Sequence, residues 1–314
     1  MGPETTFWRR IKEENEFREF LREAQLHSKR FVVKPNWISP HPGNFTDAEI
    51  LAWLLRSLDG EKVVIEGYSC NRNDGTKSIT PKNDRINWSW IKKQDELFLE
   101  KTGINTVLSE TDTSYVNVTE EVWQGRIVSP ENTRKIVEAK YAAVRREELY
   151  SSVPSILYEM RGSTLISFAR IKGVKGNFPS LSLKNMFGLI PDPARDRWHG
   201  RRDCKLSQSI VDINKVYGAL FNVVGLNEGV RSAVHSHQNG RYETPWGRYD
   251  LVENLGVVVF GNSLVDLDAV TCGLIGVEPD SVLYLRLASE VFGKWDKKEV
   301  EVAFSNCSVL LQLD

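Results

Sequence analysis

Apolar and polar positions along the chain switch between a helical period and short buried runs. Residues 7–26 place Phe7, Ile11, Phe17, Phe20, Leu21 and Leu26 among many Arg and Glu, a spacing that predicts an amphipathic helix packed on the main body. The run Arg30-Phe31-Val32-Val33 reads as a buried strand and leads into Lys34-Pro35-Asn36-Trp37. Thr46 or Asp47 then caps an apolar helix over residues 48–58, which stops at Asp59-Gly60, and a second strand over residues 62–66 stops at Gly67. Strand, loop, helix and strand in succession form a βαβ unit, and such crossovers imply a parallel sheet. Farther on, the pattern predicts helices over 92–101, 131–146, 182–187 and 207–220. It predicts strands over 105–108, 115–118, 126–128 and 164–168, and a Gly-rich basic loop over 172–177. The last third predicts a strand at 255–260, helices at 264–275 and 280–291, and two closing strands at 300–304 and 308–313. Residues 227–249, rich in Gly, Asn, Ser and His, read as a linker. The expected fold class is α/β, a mostly parallel sheet flanked by helices, with room for two α/β lobes and a cleft between them. Residues 1–29 form the N-terminal amphipathic helix and residues 30–314 the α/β domain, with a lobe boundary placed near 150–160.

Composition narrows the function classes. The chain has 314 residues, 41% apolar and 26% charged, which fits a globular protein and excludes a disordered or collagen-like one. Lys and Arg number 41 against 42 Asp and Glu, so the net charge of −1 makes a nucleic-acid partner unlikely despite nine tryptophans. The longest apolar run, residues 255–260, is too short to span a membrane. The first ten residues are charged and lack the apolar core of a secretory signal, although Met1 to Thr6 fits the loose myristoylation pattern. Four dispersed cysteines, with no CxxC pair, read as reduced thiols and predict a cytoplasmic protein without an iron–sulfur cluster.

In parallel α/β sheets, ligands bind beyond the carboxyl ends of the strands. Lys34 and Asn36 follow the first strand, Glu66 ends the second, and Arg170 and Lys172 follow the strand at 164–168. Cations at strand ends, beside helix N-termini, make an anion site; a solvated loop with surface lysines is the alternative. Lys184 sits on an otherwise apolar stretch next to Asn185, where a bare ammonium is costly and requires an acidic partner or an anionic ligand. Arg195, Arg197, His199, Arg201 and Arg202 crowd together with Asp192, Asp196 and Asp203, as a phosphate or carboxylate clamp or as a salt-bridged surface loop. His235 and His237 would share a face in a strand and, with a carboxylate, hold a divalent ion; a flexible polar loop is the other reading. His199 with Asp212 is a second metal candidate. Asp266 and Asp268 open a helix, where carboxylates favour the dipole. The chain has no P-loop, no GxGxxG after a strand, no GxSxG elbow and no HExxH.

Four segments carry a resemblance: VVKPNWISPHPGNFTD from Val32, SLSLKNMFGLIPDPARDRWHG from Ser180, IVDIN from Ile210 and NLGVVVFGNSLVDLDAV from Asn254. In order and spacing they resemble the motifs of the domain-of-unknown-function 362 family, here as a stand-alone domain without the ferredoxin-like iron–sulfur module of many members. The resemblance implies recurrent polar positions at Lys34, Asn36, Glu66, Lys172, Lys184, Asn185, Arg195, His199, Asp212, Asn214 and Asp268. Two departures stand out. Lys172-Gly173-Val174 replaces the family's Lys-Thr-His, and Val224-Gly225 replaces an Asp-Gly pair.

Together these readings predict an enzyme acting on a small anionic metabolite, a carboxylate or phosphate. A divalent metal ion or bound cofactor would assist proton abstraction or oxidation next to a carbonyl. Lys34, Asn36, Lys172, Asn185, Arg195 and Asn214 would bind the substrate. Lys184 would stabilise a developing enolate or oxyanion. His199 would act as acid/base, oriented by Asp212. The missing histidine and Asp-Gly pair support the alternative, a non-catalytic ligand-binding or redox-partner module derived from such an enzyme.

Overall fold

A computed structural model describes residues 5–73, 76–176, 178–245 and 247–311. Seven strands form one sheet: β1 (Thr6–Arg10), β2 (Arg30–Lys34), β3 (Glu61–Glu66), β4 (Thr113–Asn117), β5 (Thr164–Arg170), β6 (Asn222–Gly229) and β10 (Val257–Gly261). Three more, β7 (Ser232–Ser236), β8 (Tyr242–Thr244) and β9 (Gly247–Glu253), form a small antiparallel sheet. The large sheet runs β1-β10-β6-β5-β2-β3-β4, and its five strands from β6 to β4 are parallel. Only β10 runs against its neighbours, pairing antiparallel with both β6 and β1. This is the mostly parallel α/β fold that the strand–helix alternation predicts.

Strands buried on both faces explain the continuous apolar runs. Phe31, Val33, Val64, Ile166 and Val258 enter one apolar layer; their neighbours Val32, Val63, Leu165 and Val257 enter the other. The chain moves outward from β2 to β3 and β4, then returns to place β5 on the other side of β2. The β2/β5 boundary is therefore a topological switch point, where the loops after adjacent strands diverge and leave room for a ligand. The two strands that meet there come from either side of residues 150–160, so the sheet is continuous across that point.

Local pattern and tertiary context disagree in six places. Thr6–Arg10 is an edge strand on β10, and the helix starts only at Glu14 and ends at Glu23. The exposed edge of β10 supplies backbone partners that outweigh the helical spacing. Residues 104–110 are helical rather than extended: Ile104, Val107 and Leu108 are buried at helical spacing behind Gly103, whose φ of +75° starts the turn. The closing segment is one helix, Lys297–Leu311, packed on the helix Leu264–Leu274 with Ala303 against Gly273. The end of the predicted strand 308–313, like Met1 to Glu4 of the myristoylation pattern, lies outside the described residues. The supposed linker at 227–249 is the end of β6 followed by the strands of the small sheet. The helix expected over 131–146 spans Pro130–Glu138, because the chain then turns to bury Val144 and Tyr150. Residues 126–128 contribute a single bridge, Ile127 to Pro154, instead of a hairpin strand. No helix among the described residues is long and apolar enough to cross a membrane.

Candidate anion site at the switch point

Strand alternation aims Lys34 to the same side as Val32, where the short helix Ser182–Asn185 lies. Its ammonium, 1% exposed, donates to Glu66 Oε2 at 2.8 Å, to the Pro35 carbonyl at 2.7 Å and to Asn185 Oδ1 at 3.2 Å. Three protons thus have three acceptors. Glu66 also accepts from the backbone N–H groups of Gly67 (3.0 Å) and Trp37 (3.3 Å). The Asn185 amide donates to the Lys34 carbonyl (2.8 Å) and to Ser167 Oγ (3.1 Å) on β5. Lys34, Glu66, Asn185 and Ser167 therefore tie β2, β3, β5 and the Ser182–Asn185 helix together at the switch point. Burial lowers the Lys34 pKa to about 8 against the raising effect of Glu66. Gly188 permits this packing, since a Cβ there would stand 2.7 Å from Glu66 Oε1 and 2.8 Å from Lys34 Nζ.

Lys172 and Lys184 differ from Lys34. Lys172, 6% exposed, donates to Asn36 Oδ1 at 2.6 Å and forms no ion pair among the described residues. Burial pushes its pKa well below the usual lysine value, and the charges of Lys184, Arg170 and Lys34 push it further. Its backbone is clamped: the Lys172 carbonyl accepts from Ser180 N (2.9 Å), and the next N–H, of Gly173, donates to the Val234 carbonyl at 2.9 Å. Lys184 is half-buried, with its ammonium 4.5 Å from the centre of the Phe178 ring and no hydrogen-bonded acceptor among the described residues. Burial lowers its pKa to about 8, opposed by the field of Asp203.

The remaining predicted residues separate. Arg195 donates through Nη2 to the carbonyls of Gly188 (2.8 Å), Tyr68 (3.1 Å) and Ile190 (3.2 Å), so it pins the loop after the helix; burial lowers its pKa. His199, 39% exposed, pairs through Nδ1 with Asp203 Oδ1 at 2.7 Å and rests edge-on against Phe187. The predicted His199–Asp212 pair does not form. Asp212 is buried and accepts from Arg145 N (3.0 Å) and Gln208 Nε2 (2.9 Å), because its helix, Leu206–Leu220, turns it toward residues 143–145. Burial raises its pKa. Asn214 donates to the Leu183 and Ile210 carbonyls, both at 2.8 Å, and supports the helix bearing Lys184 from behind. Asp268 does not stabilise the start of its own helix; its carboxylate accepts from Ser182 N (3.0 Å), Leu183 N (2.9 Å) and Asn227 Nδ2 (3.0 Å). It caps the Ser182–Asn185 helix, and burial raises its pKa to about 7.

His235 and His237 lie close, with ring centres 4.8 Å apart, and His237 Nε2 is 2.7 Å from Asp250. Asp250 also takes a hydrogen bond from Arg241 at 2.8 Å, and the His235 pKa is lowered by burial, by His237 and by Lys175. No group of three or more His, Cys, Asp or Glu side chains among the described residues is arranged to hold a metal ion. The donor sets at His199/Asp212 and His235/His237 therefore do not fit the expected divalent ion.

Arg72, Glu228 and Ser167 escaped sequence reasoning, and Arg170, expected at the anion site, lies elsewhere. Arg72 pairs with Asp95 and donates to the Gly67 carbonyl, in a buried network with Tyr115 and Asn117. Arg170 projects to the opposite face from Lys34, pairing with Asp47 and lying 3.5 Å from Glu228. Burial raises the Glu228 pKa to about 7. Ser167, a lone hydroxyl in the apolar run of β5, was the one legible signal.

The fold and the site define an α/β protein with a buried cationic cluster at the switch point of its sheet. The chain belongs to the family described as Domain of unknown function (DUF362), whose model matches residues 31–273. No curated protein and no solved structure matches it. The two departures from the family pattern have structural counterparts. Gly173 has φ +92° and a Cβ there would stand 2.7 Å from Pro179 Cα, and Val174 is fully buried in the core where the family carries histidine. Gly225 lies against Leu267, Leu264 and Ser182.

Proposed function

We propose that this protein binds a small anionic metabolite, a carboxylate or phosphate, at the β2/β5 switch point and transforms it by acid–base chemistry next to a carbonyl. One observation carries this reading: the buried Lys172 feels the charge of Lys184, and neither lysine has a hydrogen-bonded carboxylate among the described residues. Like charges brought together under burial are costly, and an anion seated between them relieves both the repulsion and the missing partners. Lys34, whose three protons are taken up by protein oxygens, and Arg195, which holds three backbone carbonyls, organise the walls. Lys184 at the mouth holds the anion or the oxygen on which charge develops, and Lys172, whose charged form is disfavoured by burial and by neighbouring cations, is suited to take a proton. Asp203 acts on Lys184, which puts the exposed His199–Asp203 pair on the mouth side as a route for protons to solvent. Cysteines left as thiols fit a cytoplasmic setting.

A thermal-shift titration with inorganic phosphate and with pyruvate tests the binding step. A saturable rise in Tm in the native chain, abolished by Lys184→Gln, is expected; a ligand at a hundred times its Kd stabilises by about 2.7 kcal/mol. No rise with either anion contradicts the reading. The non-catalytic alternative is favoured by one feature, the displacement of the predicted acid/base histidine to the surface, and it predicts saturable binding without proton exchange at the ligand.

A further inference from the structure

We propose that Lys172 is a covalent amine catalyst: its Nζ forms an imine with the carbonyl carbon of a small 2-oxo acid whose carboxylate is held by Lys184. This rests on the anion-site reading above and names its substrate class. The buried cations of the cluster differ in what they are paired with. Lys34 has Glu66, Arg170 has Asp47 and Glu228, and Arg72 has Asp95. Lys172 and Arg195 have no hydrogen-bonded carboxylate among the described residues; Arg195, a guanidinium that keeps its proton, is held by backbone carbonyls, whereas Lys172 has only the neutral amide oxygen of Asn36 and three cations act on it. A lysine becomes a nucleophile when desolvation and neighbouring positive charge keep its amine unprotonated. Both conditions hold here, and the pKa lowered well below the lysine range agrees with them.

The surroundings also suit a bond-forming step. Backbone hydrogen bonds on both sides of Lys172 and the contact with Asn36 restrict where the amine can lie. Asn36 is itself fixed, its N–H donating to Thr46 Oγ1 at 2.9 Å. The nearby ammonium of Lys184 has no hydrogen-bonded partner among the described residues and is free to take the carboxylate of the same molecule. A plain carboxylate or phosphate would use only the second feature; a 2-oxo acid uses both. The step balances without a redox partner. The amine lone pair forms the C–N bond. The carbonyl oxygen takes one proton from the attacking nitrogen and one from solvent, and leaves as water. The second amine proton remains on nitrogen as the iminium, whose positive charge then acidifies the adjacent carbon.

Reductive trapping of the intact chain with pyruvate and sodium borohydride decides the matter, with lactate as the non-carbonyl control and peptide mapping to locate the adduct. The expected result is one saturable adduct per chain on Lys172, absent with lactate, suppressed by phosphate, and lost in Lys172→Gln. If pyruvate raises Tm in the native chain yet no adduct forms on Lys172, the covalent role is overturned while the anion site survives. If pyruvate neither raises Tm nor forms the adduct, both fail. Adducts scattered over surface lysines and insensitive to phosphate overturn the proposal as well. Because mapping is done on the native chain, the result stands even if the variant fails to fold.

Discussion

The two ends of the large sheet are built on opposite principles. At the carboxyl ends of β2, β3 and β5, charged side chains are buried and bonded to one another and to the backbone. At the amino end of β6, beside the end of β10, a cavity of about 650 Å³ opens among Tyr141, Phe221, Val224, Leu264 and Phe292, reaching Leu183. Its polar neighbours are engaged with the backbone: Asn214 with Leu183 and Ile210, Lys140 with the Gly218 carbonyl at 2.8 Å, Asn222 with the Gly162 carbonyl at 2.9 Å. An open, largely apolar cavity alone would make the second end a candidate working site. Unspent charge chooses the first, because burying an ammonium without a partner costs free energy that apolar surface does not. Function in this protein follows the groups whose bonding is incomplete.

The largest effect that separates the two ends is on stability. Glu66→Ala leaves the Lys34 ammonium buried without its carboxylate, and denaturant unfolding should show a loss of about 3–5 kcal/mol. A loss below about 1 kcal/mol would mean the pair is not the latch described. Asp268→Ala strips the carboxylate from two buried backbone donors and Asn227, for an expected loss of about 1–3 kcal/mol in the same measurement. Unlike Glu66→Ala, it should also weaken phosphate binding through displacement of Lys184.

The pH profile sharpens the contrast further. Glu228 and Asp268, raised to about 7 in the fold, bind protons more tightly than in the unfolded chain, so their contribution to stability falls as pH rises toward 7. Lys34, lowered to about 8, binds protons more weakly than in the unfolded chain, so its contribution rises as pH climbs from about 8 toward the ordinary lysine value of 10.5. Urea midpoints should therefore dip between about pH 7 and 8, and Lys34→Met should reduce the alkaline recovery, leaving the share of Lys184, also lowered to about 8. The smallest effect is expected at the other end. Val224→Leu, which adds a methylene facing the open cavity, should change stability by no more than about 0.5 kcal/mol and leave phosphate binding unaltered. Lost binding in that variant would join the two ends and break the comparison.

Much of the frame was legible because strands buried on both faces leave continuous apolar runs; β2, β3 and β5 announce themselves that way. The edge strand Thr6–Arg10 did not, since its partner β10 lies some 250 positions away in the chain and the local spacing of Phe7 and Ile11 is helical. The helix Ile104–Glu110 was hidden by β-branched composition, although Ile104, Val107 and Leu108 keep helical spacing. At the site, the strand-end rule located Lys34, Asn36, Glu66, Arg170 and Lys172, of which Arg170 turns to the opposite face, and an otherwise apolar stretch singled out Lys184 beside Asn185. Sequence could not say which of them spend their hydrogen bonds internally, because that depends on Glu66, Ser167 and Pro35 arriving from three segments. Asp212 shows the same limit: its spacing from His199 allowed a pair, but the helix face on which it stands points elsewhere.

The central claim is that Lys172 and Lys184, not Lys34, receive the ligand. Side-chain NMR of 13C-labelled lysine, followed while phosphate is added at neutral pH, tests it directly. The account predicts that the Lys172 and Lys184 resonances move together to saturation while Lys34, bound on three sides by protein oxygens, stays in place. Saturation that moves Lys34 and leaves the other two unchanged, or no movement in any of the three, would contradict it.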